Sequence, residues 1–257
     1  MQQNSARGDT FMSKKKIVVT IEARMTSSRL PGKVLMESCG KPLLQHMIER
    51  IKRSQLIDDV VVATTVNRTD DPVVELCKKI GCSYFRGSEE DVLLRVLEAA
   101  KSVSADVIVE TTGDCPCIDW RHIDYLVDFY IKHDFNFVAN NTIQSFPDGF
   151  DIRIFSTENL ERVSKMTDDR ADHEHVSIYF PKHPEIFSSY NWEAQTVERR
   201  PELEVTLDEK GDFLLIDSIF SALYKDNEDF SCTDVINYID NNPELLDYIK
   251  DIKRKCI

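Results

Sequence analysis

The sequence predicts an α/β protein with a mostly parallel sheet flanked by helices. Short runs rich in Val and Ile, such as 17–21 and 59–64, have the unbroken apolar character of strands buried on both faces. Each run is followed by a segment with helical apolar spacing, and this alternation occurs four times. No two-residue hairpin turn signal separates the runs, which disfavours an antiparallel sheet.

The N-terminal half supplies the four strand–helix pairs. Leu44, Met47, Ile48 and Ile51 give the first helix its apolar spacing. Ser88 is predicted to cap the third helix, whose acidic first turn suits the helix dipole. The predicted strands are 17–21, 59–64, 83–86 and 106–110, and the predicted helices are 42–53, 71–79, 89–102 and 123–131.

Beyond residue 135 the strict alternation ends. Residues 140–200 are predicted to form a small inserted lobe within a single domain at 16–257, to whose core a helix at 212–224 returns. Residues 1–15 are polar and lack an apolar stretch, so they are predicted to be a disordered leader or tag. The other predicted elements are strands at 135–139, 150–155, 187–192 and 203–206 and a helix at 172–180.

Composition and charge exclude several classes of protein. The 45 acidic and 32 basic residues give a net charge of −13, which disfavours non-specific binding to nucleic acid or anionic lipid. No run approaches the roughly 18 consecutive apolar residues of a membrane-spanning helix. The seven cysteines lack the paired spacing of a zinc site and are expected to be free thiols in the reducing cytoplasm.

The loop after the first strand concentrates positive charge. Residues 23–33 contain Arg24, Arg29 and Lys33 together with three hydroxyl side chains and Gly32. These groups suit phosphate oxygens, and ligands of parallel sheets bind beyond the carboxyl ends of the strands. The loop is neither a Walker loop nor a G-x-G-x-x-G turn. On composition alone, a solvated basic loop before a helix is an equally good interpretation.

Ordered motifs along the chain resemble those of the sugar cytidylyltransferases. The first motif is Arg24-x-x-Ser27-x-Arg29-Leu30-Pro31-Gly32-Lys33. That superfamily includes the acylneuraminate and 3-deoxy-manno-octulosonate cytidylyltransferases, and this chain more closely resembles the branch of spore coat polysaccharide biosynthesis protein F. The other matching blocks between residues 16 and 224 are 40–43, 61–64, 85–93, 112–116, 147–149, 174–176 and 206–208.

The resemblance implies a Rossmann-like core that binds CTP, with Mg²⁺ as cofactor, in a homodimer. Arg24, Lys33 and Asp208 would be the catalytic residues, and Asp114 and Asp208 match the metal-binding aspartates of the family. A sugar hydroxyl would attack the α-phosphorus of CTP and pyrophosphate would leave, with Asp208 or a metal-bound hydroxyl taking the proton. The nucleotide-binding residues implied are Ala23, Arg24, Ser27, Arg29, Lys33, Ala63, Thr64, Arg86, Gly87, Ser88 and Asp91.

The two aspartates have a competing interpretation. Mg²⁺ prefers a few carboxylate oxygens plus substrate phosphates, which Asp114 and Asp208 at strand ends would supply. Either side chain would equally suit the cap of a turn or of the following helix. The residues alone favour the caps, whereas the resemblance favours metal ligation.

The resemblance places the sugar acceptor at Asp148, Asp151, Glu174 and His175. Pro-Asp-Gly at 147–149 also suits an ordinary turn, and His175 also suits a structural role on a helix. Relatives carry an acidic residue where this chain has Arg153, which is therefore included among the candidate acceptor residues. The acceptor would be a 2-keto acid sugar that gives a CMP-linked product, or a phosphorylated sugar or polyol that gives a CDP-linked product.

Two other functions are weighed against this one. A metal-dependent glycosyltransferase usually carries an Asp-x-Asp pair at the strand end, and Asp114-Cys115-Pro116 lacks the second acid. A non-catalytic nucleotide-binding relative would be expected to lose Lys33, Asp114 or Asp208, and all three are present. Both alternatives are therefore less favoured than the cytidylyltransferase.

Overall fold

The structure, a computed structural model, describes residues 14–252, so most of the predicted leader lies outside the described residues. The strands are β1 Ile17–Glu22, β2 Glu37–Ser38, β3 Lys41–Pro42, β4 Asp59–Thr65, β5 Ser83–Gly87, β6 Val107–Thr112, β7 Phe137–Ala139, β8 Arg153–Ser156 and β9 Ser189–Asn191. The α-helices are α1 Leu43–Ile51, α2 Asp71–Ile80, α3 Val92–Ser102, α4 Trp120–Lys132, α5 Thr157–Val163, α6 Arg170–Glu174, α7 Tyr179–Lys182, α8 Lys210–Leu223 and α9 Cys232–Asn241.

Seven of these strands form one sheet in the order β5-β4-β1-β6-β8-β7-β9. β1, β4, β5 and β6 are mutually parallel, and β8 is antiparallel to both of its neighbours. The predicted α/β class with a mostly parallel sheet is therefore confirmed. Because β1 and β6 are central and parallel, the loops after them open at the same edge of the sheet.

Helices cover both faces of the sheet because its strands are apolar on both sides. Along β1, Val19 and Ile21 pack on the face covered by α1, α2 and α4, whereas Val18 packs on the face covered by α3, α5 and α7. Burying one such aliphatic side chain contributes about 1.5–3 kcal/mol, so a strand buried on both faces anchors the fold. A third apolar cluster joins α8 and α9 to Leu43 and Phe150. Among residues 14–252, no helix is both long and apolar enough to cross a membrane.

The segment 140–200, predicted to form a small inserted lobe of the single domain, contributes to the main sheet and its core. Two of its strands, β8 and β9, belong to the main sheet, and Phe180 and Phe187 pack in the core beneath α3. The predicted helix at 172–180 is interrupted at Val176, whose φ of 52° is incompatible with a continuous helix. The result is two short helices, α6 and α7, in place of one.

Several predicted element boundaries were also wrong. The strand predicted at 203–206 is reduced to a single bridge between Asp148 and Glu204. The third helix begins at Val92 and not at residue 89, because Asp91 caps it by accepting a hydrogen bond from the backbone N–H of Leu94 at 2.8 Å. Adjacent polar residues offer competing caps, and the sequence does not show which one the tertiary structure selects.

Candidate active site

A cleft of about 300 Å³ opens at the carboxyl ends of β1 and β6. This is the edge at which ligands of parallel α/β sheets bind. Most of its lining is polar, and cationic and anionic side chains alternate around it. The lining residues are Glu22, Ala23, Arg24, Ser27, Ser28, Arg29, Lys33, Val34, Val92, Arg95, Thr112, Gly113, Asp114, Glu174, His175 and Asp208.

The basic loop 23–33 is folded back against the end of β4. The buried carboxylate of Asp70 accepts hydrogen bonds from the backbone N–H of Met25 at 2.8 Å and from the hydroxyl of Thr65 at 2.5 Å. At the other end of the loop, Gly32 adopts φ 74° and donates to the Met25 carbonyl at 2.9 Å. A glycine suits this left-handed conformation because it has no Cβ. The loop is thus positioned by the fold and is not a free solvated segment.

Lys33 lies at the centre of the cleft between the two candidate metal-binding aspartates. Its Nζ is 2.8 Å from Oδ2 of Asp114 and 2.9 Å from Oδ1 of Asp208. Arg29 reaches the other oxygen of Asp208 at 2.7 Å. Lys33 and Arg29 therefore balance the charges of two carboxylates. Asp114 is 81 residues and Asp208 is 175 residues from Lys33 in sequence. These contacts bring the predicted site residues Lys33, Asp114 and Asp208 together in the cleft.

Burial and charge act in opposite directions on these groups. Burial lowers the pKa of Lys33, but the adjacent carboxylates of Asp114 and Asp208 outweigh it and raise that pKa above its ordinary value. Burial likewise disfavours the charged form of Asp114, yet the Lys33 ammonium and the Thr112 hydroxyl lower its pKa overall. Both groups are therefore charged at neutral pH.

Neither aspartate caps a helix, and metal ligation by Asp114 and Asp208 remains a prediction. Asp119 caps α4, and Glu209 together with Asp212 forms the capping box of α8. The carboxylates of Asp114 and Asp208 are left facing the cleft. The Leu207 N–H donates to the Asp114 carbonyl at 2.8 Å, and this bond holds the two segments side by side.

Gly113 lets β1 and β6 meet closely beneath the cleft. A Cβ on this residue would lie 2.8 Å from the carbonyl oxygen of Glu22, to which the Gly113 N–H donates a hydrogen bond at 2.8 Å. A larger residue would push the strand ends apart. Asp114 follows directly, so its position depends on this close approach.

Arg95 and Glu22 also line the cleft and were missed by the sequence reasoning. Arg95 extends from α3, and its Nε is buried without a hydrogen-bond partner among the described residues. Glu22 ends β1; burial and the neighbouring Glu110 raise its pKa to about 8. No local pattern marks either residue, because a single charged residue on a helix or at a strand end is ordinary in sequence.

None of the predicted nucleotide-binding residues beyond the 23–33 loop lines the cleft. The Arg86 guanidinium is bonded to the carbonyls of Thr65 and Asn67 and pairs with Asp71 at 2.7 Å. Asp91 caps α3 and contacts His173 at 2.9 Å. Their nucleotide contacts remain predictions, as do those of the other residues outside the lining, Ala63, Thr64, Gly87 and Ser88.

The phosphate-loop residues Ala23, Arg24, Ser27, Arg29 and Lys33 all line the cleft. Of the residues predicted at the acceptor, Glu174 and His175 line it as well. The structure therefore brings these two predicted groups of residues together at the same edge of the sheet.

Arg153 forms ion pairs with carboxylates inside the protein. Its guanidinium lies 3.5 Å from both Glu110 and Asp151, and Glu110 is fully buried. Burial disfavours the charged guanidinium, but these carboxylates raise the pKa of Arg153 overall. Burial raises the pKa of Glu110 and of Asp151. The arrangement is a compact buried charge network beside the cleft.

The Pro-Asp-Gly segment is a structural turn in this fold. Gly149 has φ 108°, and a Cβ there would lie 2.9 Å from the backbone of Val205. Asp148 forms backbone hydrogen bonds with Leu203 and Val205 at 2.9 and 2.8 Å. The turn thereby holds the segment that leads to Asp208.

Comparison with known proteins gives consistent matches along the chain. A family model described as Cytidylyltransferase matches residues 18–253. Spore coat polysaccharide biosynthesis protein SpsF of Bacillus subtilis is 30% identical over 234 residues, which cover 89% of this chain and 95% of that protein. The 3-deoxy-manno-octulosonate cytidylyltransferase of Geobacter metallireducens is 38% identical over 111 residues, 42% of each chain.

A solved structure has the same architecture. The structure of a cytidylyltransferase from Leptospira borgpetersenii superimposes with a TM-score of 0.86 at 33% identity. The match covers 94% of this chain and 100% of that one. The similarity therefore extends over the sheet, the basic loop and the segment that carries Asp208.

Proposed function

Since the chain belongs to the cytidylyltransferase family, whose members are CTP-using nucleotidyltransferases, we propose that it transfers CMP from CTP to a sugar hydroxyl and releases pyrophosphate. The product would serve surface polysaccharide or glycan biosynthesis. The observation that carries the proposal is the bridge from Lys33 to Asp114 and Asp208 in the cleft. Cations and carboxylates converge there, as transfer of a nucleotidyl group requires.

The triphosphate binds to the cationic side of the cleft. Arg24, Arg29, Lys33 and Arg95 line it, in a chain whose net charge is −13. Because the cations are concentrated in one cleft of an otherwise acidic protein, the cleft favours one anionic ligand over non-specific binding to polyanions. Guanidinium groups bind phosphate oxygens in a bidentate manner, and the hydroxyl of Ser27 supplies a further donor.

The carboxylates of Asp114 and Asp208 fit a magnesium ion. Mg²⁺ is usually held by one or two carboxylates together with substrate phosphates. One oxygen of each aspartate already contacts the same cationic atom, Nζ of Lys33, so the two can share a cation. When bound, Mg²⁺ would neutralise charge that develops on the transferring phosphoryl group.

Lys33 and Arg29 act as counter-ions of the aspartates until the nucleotide arrives. With two cations on two carboxylates, the local charge is close to zero and attracts a divalent ion only weakly. The triphosphate gives Lys33 and Arg29 alternative anionic partners, and both side chains turn to the phosphates. The carboxylates of Asp114 and Asp208 then become available. Nucleotide and metal binding are thus coupled, and each strengthens the other.

The chemical step is an in-line displacement at the α-phosphorus. A bond forms between the sugar oxygen and phosphorus, the bond to the β-phosphate oxygen breaks, and pyrophosphate leaves with that electron pair. Lys33, Arg29 and Arg24 stabilise the charge that develops on the phosphates. Asp208 presents its two oxygens in different directions, toward Lys33 and toward Arg29. Once Lys33 and Arg29 have turned to the phosphates, one of these oxygens accepts the hydroxyl proton, while the other would help to hold the metal ion.

The acceptor is a 2-keto acid sugar that reacts through its anomeric hydroxyl. The partial similarity to a 3-deoxy-manno-octulosonate cytidylyltransferase supports this class, and the similarity to SpsF supports use of the product in a polysaccharide. Arg153 is already paired with Glu110 and Asp151. Recruitment of an acceptor phosphate by Arg153 would break that network, so the CDP-linked product is the less favoured alternative.

Location and assembly follow from the same function. CTP is a cytoplasmic substrate, so we propose a cytoplasmic enzyme, and the family resemblance supports a homodimer. Light scattering of the purified protein tests the dimer, which a monomeric mass at micromolar concentration would contradict.

The proposed function is tested by pyrophosphate release from CTP with a panel of acceptors. The panel contains a 2-keto acid sugar, a sugar phosphate and a polyol phosphate, each with Mg²⁺ and with a chelator. We expect release only with the keto acid and Mg²⁺. Release with a phosphorylated acceptor alone would establish the CDP-linked alternative. Hydrolysis or transfer from a nucleotide sugar without pyrophosphate would replace the proposal with a glycosyltransferase.

A further inference from the structure

Among residues 14–252, a group of metal-ligating side chains lies away from the cleft. His122 in α4, Glu198 in the segment before α8 and Cys232 at the start of α9 each present one ligand atom, and these atoms lie within 4.8 Å of one another. None of the three residues lines the cleft. His122 and Glu198 are hydrogen-bonded to each other, and the proposed transfer reaction makes no use of either residue or of Cys232.

The spacing of the three atoms is close to that of a tetrahedral metal site. In a zinc site with bonds of about 2.0–2.3 Å, neighbouring ligand atoms lie about 3.3–3.8 Å apart. Nε2 of His122 is 3.1 Å from Oε2 of Glu198. The nitrogen and oxygen thus already have nearly this spacing, and the sulfur of Cys232 needs to approach by only about 1 Å.

Neighbouring groups hold all three residues in place. The ring of His122 packs against Phe146 and Trp192, with ring centroids 4.9 and 5.2 Å away. The second oxygen of Glu198 accepts a hydrogen bond from the Thr233 hydroxyl at 3.0 Å. The hydrogen bond to Glu198 is a contact of the kind that fixes the orientation of a metal ligand, whereas Nδ1 of His122 is buried without a hydrogen-bond partner among the described residues.

The backbone of Cys232 is fixed by a further contact. Its N–H donates to the buried carboxylate of Asp119 at 2.9 Å. Cys232 and His122 are buried, whereas the side chain of Glu198 is 20% exposed and leaves a route for an ion from solvent. The cluster therefore combines fixed ligands with an entry path.

We propose that His122, Glu198 and Cys232 bind a zinc ion, with water as the fourth ligand. An imidazole nitrogen, a carboxylate oxygen and a thiolate sulfur together form a donor set that suits Zn²⁺. The thiol proton is released to solvent on binding, and the thiolate and carboxylate then offset the two charges of the ion. A neutral complex is well suited to a largely buried position.

The ion joins three parts of the chain that are distant in sequence. It links α9 to α4 and to the segment that contains Glu198, and thus ties the C-terminal helices to the sheet. Because the folded protein provides the ligands in one place, metal binding stabilises the folded state over the unfolded chain. The proposed site lies outside the cleft and binds the metal independently of CTP.

Cobalt titration of the chelator-treated, full-length protein tests the site. Co²⁺ substitutes for Zn²⁺, and we expect a thiolate-to-cobalt charge-transfer band that saturates at one ion per chain. Cys232→Ser should abolish the band. Cys117→Ser is the matched control, because Cys117 is equally buried in the same apolar cluster but lies outside the site. Co²⁺ bound by Asp114 and Asp208 has oxygen ligands and gives no such band.

Two further variants test the site independently in case Cys232→Ser does not fold. His122→Gln and Glu198→Gln keep similar volume and should weaken cobalt binding by at least about tenfold. Added Zn²⁺ should raise the melting temperature of the unaltered protein and leave that of Cys232→Ser unchanged. Absence of the band at a large excess of Co²⁺ would overturn the proposal. A band that persists in Cys232→Ser, or an affinity unaffected by His122→Gln and Glu198→Gln, would also overturn it.

Discussion

The two ends of the cleft handle charge differently. At the donor end, defined by Arg24, Arg29, Lys33, Asp114 and Asp208, every charged group lines the cleft, and the contacts between cations and carboxylates can be exchanged for contacts to a ligand.

The proposed acceptor region consists of Glu174 and His175 in the cleft and of Asp148, Asp151 and Arg153 outside its lining, and its cation, Arg153, is internal. Arg153 is paired with Asp151 and with the fully buried Glu110. This difference shows that a cation near a binding site indicates a ligand contact only when its ion-pair partners within the protein are known. Donor-end charges are available for chemistry, whereas the Arg153 network mainly supports the structure.

The largest effect is expected from Asp208→Asn at the donor end. The substitution removes a charge but keeps the shape, and we expect kcat/KM for pyrophosphate release to fall by about 10²–10⁴-fold. The melting temperature should change little, because the side chain faces the cleft. Asp247→Asn on the surface is the control and should retain full activity. Near-normal turnover of Asp208→Asn at saturating Mg²⁺ would refute the assigned role.

Arg153→Gln should affect stability far more than nucleotide binding. It leaves the buried carboxylates of Glu110 and Asp151 without their cation, and we expect the free energy of unfolding to fall by about 3–5 kcal/mol. The double variant Arg153→Gln/Glu110→Gln should recover part of this loss. Denaturant unfolding measures it, and the KM for CTP should stay within about twofold. An unaltered stability with a weakened acceptor KM would instead make Arg153 a substrate contact.

Glu22 should give the protein a pH-dependent component of stability. Its pKa rises from 4.5 to about 8 on folding, so the folded state binds the proton more tightly than the unfolded chain. This contribution is fully present below pH 4.5 and is lost as the pH rises through about 8. At about 1.4 kcal/mol per pKa unit, the rise from 4.5 to about 8 corresponds to at most about 5 kcal/mol. The free energy of unfolding of Glu22→Gln should not show this decline between these two pH values. Parallel curves of stability against pH for the unaltered protein and the variant would contradict the prediction.

The smallest effect on activity is expected from Arg86→Gln. Arg86 is bonded to backbone carbonyls and to Asp71, so the substitution should lower the free energy of unfolding by about 1–2 kcal/mol. The KM for CTP should change by less than about twofold. A much larger rise in this KM, with unchanged stability, would support the nucleotide contact that the family resemblance implies.

Local physics explains which parts of the structure were predictable. Strands β1, β4 and β6 were predicted because a continuous run of β-branched residues fits few structures other than a strand buried on both faces. The basic loop was predictable because its cations are close together in sequence. The cap of α3 was misplaced because Ser88 and Asp91 are equally good candidates locally.

The parts that could not be predicted depend on tertiary contacts. The contact between Lys33 and Asp208 spans 175 residues, and only the family resemblance suggested it. Arg95 has no sequence signal, because its role depends on which face of α3 meets the cleft. The grouping of His122, Glu198 and Cys232 is likewise absent from the spacing of cysteines and histidines along the chain.

The coupling of metal and nucleotide at the donor end is tested most directly by Mn²⁺ binding, followed by electron paramagnetic resonance with and without CTP. The account predicts weak Mn²⁺ binding by the free protein and binding at least about tenfold tighter with CTP. Lys33→Met should raise the affinity of the CTP-free protein, because the carboxylates lose a counter-ion, while Lys101→Met on the surface should not. Mn²⁺ affinity that is unaffected by CTP, by Lys33→Met and by Asp114→Asn would contradict the account.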